Sequence, residues 1–387
     1  MKLIIVGREK KYIQAFLQLP VRLYKNEKNW IRPLDKDIEE VFDEQKNKTF
    51  KFGSCIRWVL QDDNGQTIGR VAAFINKRTL QDKHMKIKVG GMGFFECIND
   101  EEAAFKLFDA CKKWLIEQGV EAMDGPINFG ERDRWWGLHI SGNAEPNYRM
   151  GYHHAYYKDL FEKYGFQLYF RQYTYTRDTT TPPSAEIKAK YERVMANKEY
   201  ELRTIDKNQL KKFASDFAAI YNQAWVKIGT PKLADAQAYL FMKQMKPIMD
   251  EDIVIFAYHN KKPVGFFVMM PELNQLIKHL NGKFGLWQKI KLFFMLKTGK
   301  CRKIFGVAFG VIPEYQGRGI DGAMVQYGYI LQCKIKRYDT FEMNWIGDFN
   351  PKMMHVAESI GGTILKVHAT YRFLFDNTIP FERCPMI

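Results

Sequence analysis

The sequence predicts an α/β protein with a mixed sheet, organised as two similar units in tandem. Three observations point there. One succession of elements (strand, helices, hairpin, strand, helix, strand, helix, strand) occurs twice. A Thr-, Ser- and Pro-rich stretch at 178–185 (DTTTPPSA) lies between the two occurrences. Near the end, a β-branched apolar run from Ile304 to Ile312 stops at Pro313. It passes through a Gly-rich turn from Gln316 to Gly322. It then continues as a helical pattern with Ile320, Met324, Tyr327 and Leu331. The expected division is a first unit over 1–178, a linker and helix over 179–198, and a second unit over 199–387.

Composition bounds what the chain can be. At 387 residues, 46% hydrophobic and 15% aromatic, it can bury a large core. No apolar stretch reaches the ~18 residues of a membrane span. The N-terminus, MKLIIVGREKK, has too short an apolar segment for a signal peptide and reads as a first strand. The six cysteines show no C-x-x-C pair, which suggests reduced thiols in a cytoplasm and no structural zinc. No metal site is expected. The net charge of +15 favours an anionic partner: nucleic acid, a membrane surface or a phosphorylated cofactor. Nucleic acid is the weakest of these, because the charge is not interleaved with a reader motif.

In the first unit, Leu3 to Val6 reads as a strand, followed by helices near Tyr12–Leu19 and Asp35–Phe42. Cys55–Leu60 and Thr67–Asn76 form a hairpin around the Asn-Gly of 62–66. Val89–Cys97 is a strand whose glycines suggest a bulge or close packing. Ala104, Leu107, Phe108, Cys111 and Leu115 share one face of a helix over 101–118, which Gly119 ends. A strand at 121–124 precedes the aperiodic segment 127–152. That segment carries Trp135 and Trp136 and reads either as a pocket wall or as a self-packed surface loop. A helix at 156–164 and an aromatic strand at 166–177 close the unit.

The second unit repeats the order. A strand at 200–205 leads to helices ending near Trp225 and over 234–249. A hairpin (253–258, 263–270) and the strand feeding the glycine turn follow. Then come a helix at 322–334, a strand at 340–346, a helix at 352–360, and two strands at 363–368 and 370–375. Between hairpin and turn lies an insertion, 271–303, basic and with apolar residues at helical spacing. It reads as a helical cover over the sheet edge, or as a surface lying on anionic lipid.

Strand, glycine turn and helix start make a nest of backbone N–H groups at the positive end of a helix dipole, suited to phosphate or pyrophosphate. Val311, Pro313, Tyr315, Gln316, Gly317, Arg318, Gly319 and Ile320 resemble the acyl-CoA signature of the GNAT superfamily of N-acetyltransferases. The element order over 200–376 is similar to the whole GNAT fold. The full chain also resembles a group of bacterial tandem GNAT-like proteins, through Trp30, Pro33 and Leu34; Gly93-Phe94-Phe95-Glu96; Gly125-Pro126 with Asn128-Phe129; Asn222, Ala224 and Trp225; and Glu342, Trp345, Asp348 and Asn350. The first unit would be degenerate. Its strand runs into Glu96-Cys97-Ile98-Asn99-Asp100-Glu101-Glu102, where four acids and no glycine turn would repel a pyrophosphate.

The resemblance implies an N-acyltransferase using acetyl-CoA or a longer acyl-CoA and acting on an amine of a small molecule or peptide. Phe309, Gly310 and Val311 would line the pantetheine and polarise the thioester. Gln316, Gly317, Arg318, Gly319, Ile320 and Gly322 would take the pyrophosphate, with Asn350 also contacting the cofactor. Candidate proton-transfer groups are Glu342, Asp348 and Tyr371, each with an alternative reading as an ion-pair or core residue. Trp135, Trp136, Trp225 and Trp345 would form the acceptor pocket. Two positions depart from the pattern: Asp321 stands where the signature ends in Gly or Ala, and Ala357 where many members carry a general-acid Tyr. Both favour a rival reading, a non-catalytic acyl-CoA sensor.

Overall fold

A computed structural model of the chain describes residues 1–80, 86–224 and 232–386. The strands in chain order are β1 (Lys2–Ile5), β2 (Gly53–Gln61), β3 (Thr67–Asn76), β4 (Val89–Cys97), β5 (Ala122–Gly125), β6 (Leu138–Ser141) and β7 (Gln167–Asp178), then β8 (Tyr200–Thr204), β9 (Val254–His259), β10 (Lys262–Pro271), β11 (Lys303–Val311), β12 (Thr340–Gly347) and β13 (Thr363–Leu374). They make one mixed sheet in the order β1-β2-β3-β4-β5-β13-β7-β12-β11-β10-β9-β8, with β6 on the side of β13.

The order shows a strand exchange. The last strand, β13, pairs antiparallel with β5 and with β7, so it lies within the first half's part of the sheet. In turn β7 pairs with β12 of the second half. The two halves are therefore joined through backbone ladders as well as through side chains. Residues 363–374 form one strand where the sequence suggested two. Register shifts at Ile364/Lys366 and Thr370/Tyr371 bend it without breaking its ladder to β7. The aperiodic segment 127–152 contains the four-residue strand β6, too short to show an alternation.

Helices form where the periodicity puts them. The helix Glu101–Glu117 buries Ala104, Leu107, Phe108, Cys111 and Leu115, and Asp100 caps it by accepting from Ala103 N at 2.7 Å. It covers a core that includes Phe95, Phe161 and Tyr371. The second core gathers Phe256, Phe266 and Ile304 from the sheet under Ile320, Ala323 and Met324 of the helix Ile320–Ile335. Full burial of such side chains contributes roughly 1.5–3 kcal/mol each. The linker helix, Ala185–Ala196, is capped by Ser184 and lies against the helix Ile320–Ile335.

The insertion holds a short helix, Asn274–Ile277, and a longer one, Leu286–Lys297. Its first part docks on the first half: Leu273, Ile277 and Leu280 pack on Leu34. Gln275 donates to Glu145 at 2.7 Å, and Asp35 N donates to Gly282 O at 2.9 Å. No described helix is long and apolar enough to cross a membrane.

Candidate functional site

The site is built where two parallel strands part. β11 and β12 pair from Lys303↔Thr340 to Gly306↔Met343 and no further. On its other side β11 keeps pairing with β10 through Val311, with a shift that leaves Val307 as an extra, bulged residue. From Val307 onward β11 therefore presents an unpaired backbone edge toward the gap. Phe309 is half-buried and packs edge-on against Phe267 at 5.1 Å.

The gap leads to the glycine turn. Gly317 and Gly319 have φ of +74° and +86°, a region that favours glycine. A Cβ on Gly317 would meet nothing within 4 Å, so that side of the turn is open. Gly319 is the N-cap of the helix Ile320–Ile335, and no side chain caps it. The N–H groups of Ile320, Asp321 and Gly322 have no acceptor among the described residues. An uncapped helix start beside two left-handed glycines suits a phosphate. Asp321 is half-buried with no partner among the described residues, and it does not cap the helix.

Two basic side chains that the sequence reading passed over stand at this turn. A Cβ on Gly322 would come 2.8 Å from Lys190 Cδ, and one on Gly319 would come 3.0 Å from Arg193 Nη2. Lys190 pairs with Glu186 at 2.8 Å, and Arg193 is exposed. Arg318 is exposed and sits 4.9 Å from the centre of the Tyr315 ring. Gln316 is exposed, and its side chain donates back to Val311 O at 3.0 Å. The i, i+3 spacing of Lys190 and Arg193 was visible in the sequence, but their proximity to the turn follows from helix packing.

The candidate proton-transfer groups are not gathered at the gap. Glu342 is fully buried on β12. Its Oε2 accepts from Lys366 at 2.9 Å and Asn147 at 2.7 Å, and Lys303 Nζ lies 2.5 Å from Oε1. Burial pushes this carboxyl up, but Lys366 and Lys303 outweigh it and hold it below its ordinary range. Asn147 also donates to the buried Glu272, at 2.7 Å. Burial, joined by the Glu342 charge, raises the Glu272 carboxyl. Asp348 pairs with Arg383 at 2.6 Å. Tyr371 lies in the first core and donates to Glu162 at 3.1 Å. Asn350 caps the helix Pro351–Ser359 by accepting from Met353 N at 3.2 Å. Ala357 is fully buried, packed with Tyr175 and Ile346.

Of the tryptophans, Trp135, Trp136 and Trp345 share one cluster with Phe94 and Phe170, and Trp345 donates to Arg132 O at 3.1 Å. Trp225 lies outside the described residues. Trp135 also lines a cavity of about 50 Å³ with Trp30, Arg70, Phe94, Glu96 and His153. No group of three or more metal-ligating side chains occurs among the described residues.

The first half has the same frame with a different filling. β4 and β5 pair from Val89↔Ala122 to Gly91↔Asp124 and then part. Here the chain itself enters the gap: Ile127 N donates to Met92 O at 2.8 Å. A Cβ on Gly93 would lie 1.9 Å from Ile127 O, so only glycine permits this approach.

No protein-family model matches the chain. Two curated relatives align along nearly its whole length. One, named bacterial ceramide synthase, from Caulobacter vibrioides, is 25% identical over 365 residues, covering 93% of this chain and 94% of the relative. The other, protein YghO of Escherichia coli, is 26% identical over 374 residues, covering 94% and 93%. Among solved structures, a tandem GNAT protein from the clavulanic acid biosynthesis pathway superposes with a TM-score of 0.56 at 9% identity, covering 98% of this chain and 99% of that one. A GCN5-related N-acetyltransferase from Sphaerobacter thermophilus gives 0.54 at 11%, covering 100% and 98%. The glucosamine N-acetyltransferase region of a fungal multi-domain enzyme gives 0.56 at 14%, covering 96% of this chain but 38% of that longer one.

Proposed function

We propose that the chain, which has the fold of the tandem GCN5-related N-acetyltransferases, is an acyl-CoA-dependent N-acyltransferase with one site, in its second half. The observation that carries this is the parting of β11 from β12 after Gly306, directly ahead of the uncapped turn at Gly317–Gly319. Acetyl-CoA or a longer acyl-CoA would supply an activated acyl thioester. The backbone amides from Gly317 to Gly322 would hold its pyrophosphate, with Lys190, Arg193 and Arg318 adding charge-assisted contacts. The free edge of Phe309, Gly310 and Val311 would line the pantetheine arm and aim a backbone donor at the thioester carbonyl.

The acceptor's amine must lose a proton. Asp348, in the turn that follows β12, is the base we favour; its side chain is 16% exposed, so it can be reached once Arg383 moves. Glu342 can act only if Lys303 gives up Oε1, because both its oxygens are engaged. No role is proposed for Tyr371. The Trp135, Trp136 and Trp345 cluster would wall the acceptor's apolar part.

The Caulobacter relative is named a ceramide synthase. A ceramide is the N-acyl derivative of a long-chain amino alcohol, and that class is the acceptor we propose. Titration with acetyl-CoA and a long-chain acyl-CoA, followed by CoA-thiol release with and without a long-chain amino alcohol, tests the reading. Amine-dependent release is expected. Tight CoA binding with no amine-dependent release across an amine panel would instead support the sensor reading, which Ala357 and Asp321 favour.

A further inference from the structure

The helix Leu286–Lys297 lies on the body of the protein by one face only. Met295 is buried, and Leu292 and Leu296 pack partly against the second core. The opposite face is apolar and open: Leu286 is 73% exposed, Trp287 78%, Phe293 53% and Phe294 61%, with Ile290 at 39%. At about 100° per residue these five side chains fall within an arc of about 120°. Lys289 and Lys291 lie just beyond its two edges, and Lys297 continues the stripe at its end. Lys283 and Lys300 flank the helix in sequence, and all five lysines are exposed. No acid occurs between Glu272 and Glu314.

An outward stripe of bulky side chains would be unfavourable in water without a partner. Lysines along both edges select that partner's charge: apolar beneath, negative at the rim. A bilayer surface with anionic headgroups has this layering, acyl chains below a plane of phosphate. We propose that the helix Leu286–Lys297 is a membrane-surface anchor, with Leu286, Trp287, Ile290, Phe293 and Phe294 entering the headgroup boundary and the flanking lysines meeting anionic lipid. The anchor has a fixed mount, since the preceding segment is tied to the first half through Gln275, Lys278 and Gly282. The inference is independent of the proposed acyl transfer.

Flotation of the full chain with vesicles tests it. Vesicles of phosphatidylcholine alone are compared with vesicles holding about 30% phosphatidylglycerol, at low and at physiological salt. The chain is expected to float with the anionic vesicles and to bind the neutral ones at least about tenfold more weakly. The double variant Trp287→Ser/Phe294→Ser should lose binding to both by about tenfold or more. Lys289→Glu/Lys291→Glu should lose only the preference for anionic vesicles. All four side chains are exposed, so unchanged thermal unfolding is expected of each variant. No binding to anionic vesicles at low salt would overturn the proposal, as would binding that ignores the apolar variant. A concentration-dependent dimer that the apolar variant abolishes, with no vesicle binding, would overturn it in favour of a second copy.

Discussion

Lys366 on β13 and Glu342 on β12 form an ion pair of 2.9 Å between side chains that are 1% and 0% exposed. Two strands from the second half thus meet around β7 of the first, and Asn147 of the first half bonds to both members of the pair. Burial alone would push the lysine toward its neutral form, and Glu342 offsets part of that. Removing one member of a buried pair costs about 3–5 kcal/mol, because the other is left unpaired. Lys366→Met should therefore destabilise the chain by about that amount in urea unfolding. The double variant Lys366→Met/Glu342→Gln should recover part of the loss. If Glu342 were also the catalytic base, activity would not recover with stability, and that split separates the two roles.

The histidines give a pH dependence with a definite sign. His139 and His368 are buried, with ring centres 5.1 Å apart, and His368 donates Nε2–H to Gly151 O at 3.0 Å. Burial lowers both, His368 to about 3; the Lys366 charge adds to both shifts, and His139 adds to that of His368. A histidine depressed in the folded state contributes stability that is full above its ordinary value near 6.5 and lost as pH falls toward the folded value. Each should cost up to about 1.4 kcal/mol per pH unit below about pH 6. Urea unfolding between pH 7.5 and 5 should show that slope, and His368→Gln should flatten it by one proton. Equal slopes for the two proteins would refute the assignment.

Local chemistry was legible in the sequence and neighbourhood was not. The glycine turn announced itself because Gly317 and Gly319 mark left-handed backbone, and the helix Glu101–Glu117 because its apolar residues keep a helical period. The partners of Glu342 could not be read. Its pairing with Lys366 depends on which strands β7 separates, and a strand's pattern encodes its faces but not its neighbours. The same ignorance placed residues 363–375 simply as closing strands of the second unit. β13 in fact lies between β5 and β7, which is why Tyr371 ends in the first core.

Lys190 and Arg193 offer a test of the phosphate assignment that leaves the turn's backbone alone. Both reach the turn from the linker helix, outside the stretch that resembles a known signature. Replacing both with Ala should weaken acyl-CoA binding by about tenfold, equivalent to about 1.4 kcal/mol, and reduce its salt dependence. Titration of CoA and of dephosphorylated pantetheine separates charge from shape: only the phosphorylated ligand should respond. An equal loss for both ligands would mean that the linker helix supports the turn structurally and does not meet phosphate.

The contrast between the two halves predicts a stoichiometry. In both halves the sheet parts after a short parallel ladder, β4 from β5 after Gly91 and β11 from β12 after Gly306. In the first half Ile127 fills the gap and bonds to Met92. The helix that follows is already capped by Asp100, and Glu101 and Glu102 occupy its first turn, so its dipole is satisfied by carboxylates. In the second half β11 and β12 do not pair beyond Gly306 and Met343, and no side chain caps the helix start at Gly319. Calorimetric titration should therefore find one acyl-CoA per chain. Gly319→Val should abolish that binding, since φ of +86° and the nearness of Arg193 both oppose a side chain. Gly93→Ala should act differently. With Ile127 O 1.9 Å from the new Cβ, it should lower stability by more than about 1 kcal/mol and leave the affinity of the surviving folded protein unchanged. Two equivalents of acyl-CoA per chain, or residual tight binding in Gly319→Val, would return the first half to the status of a working site.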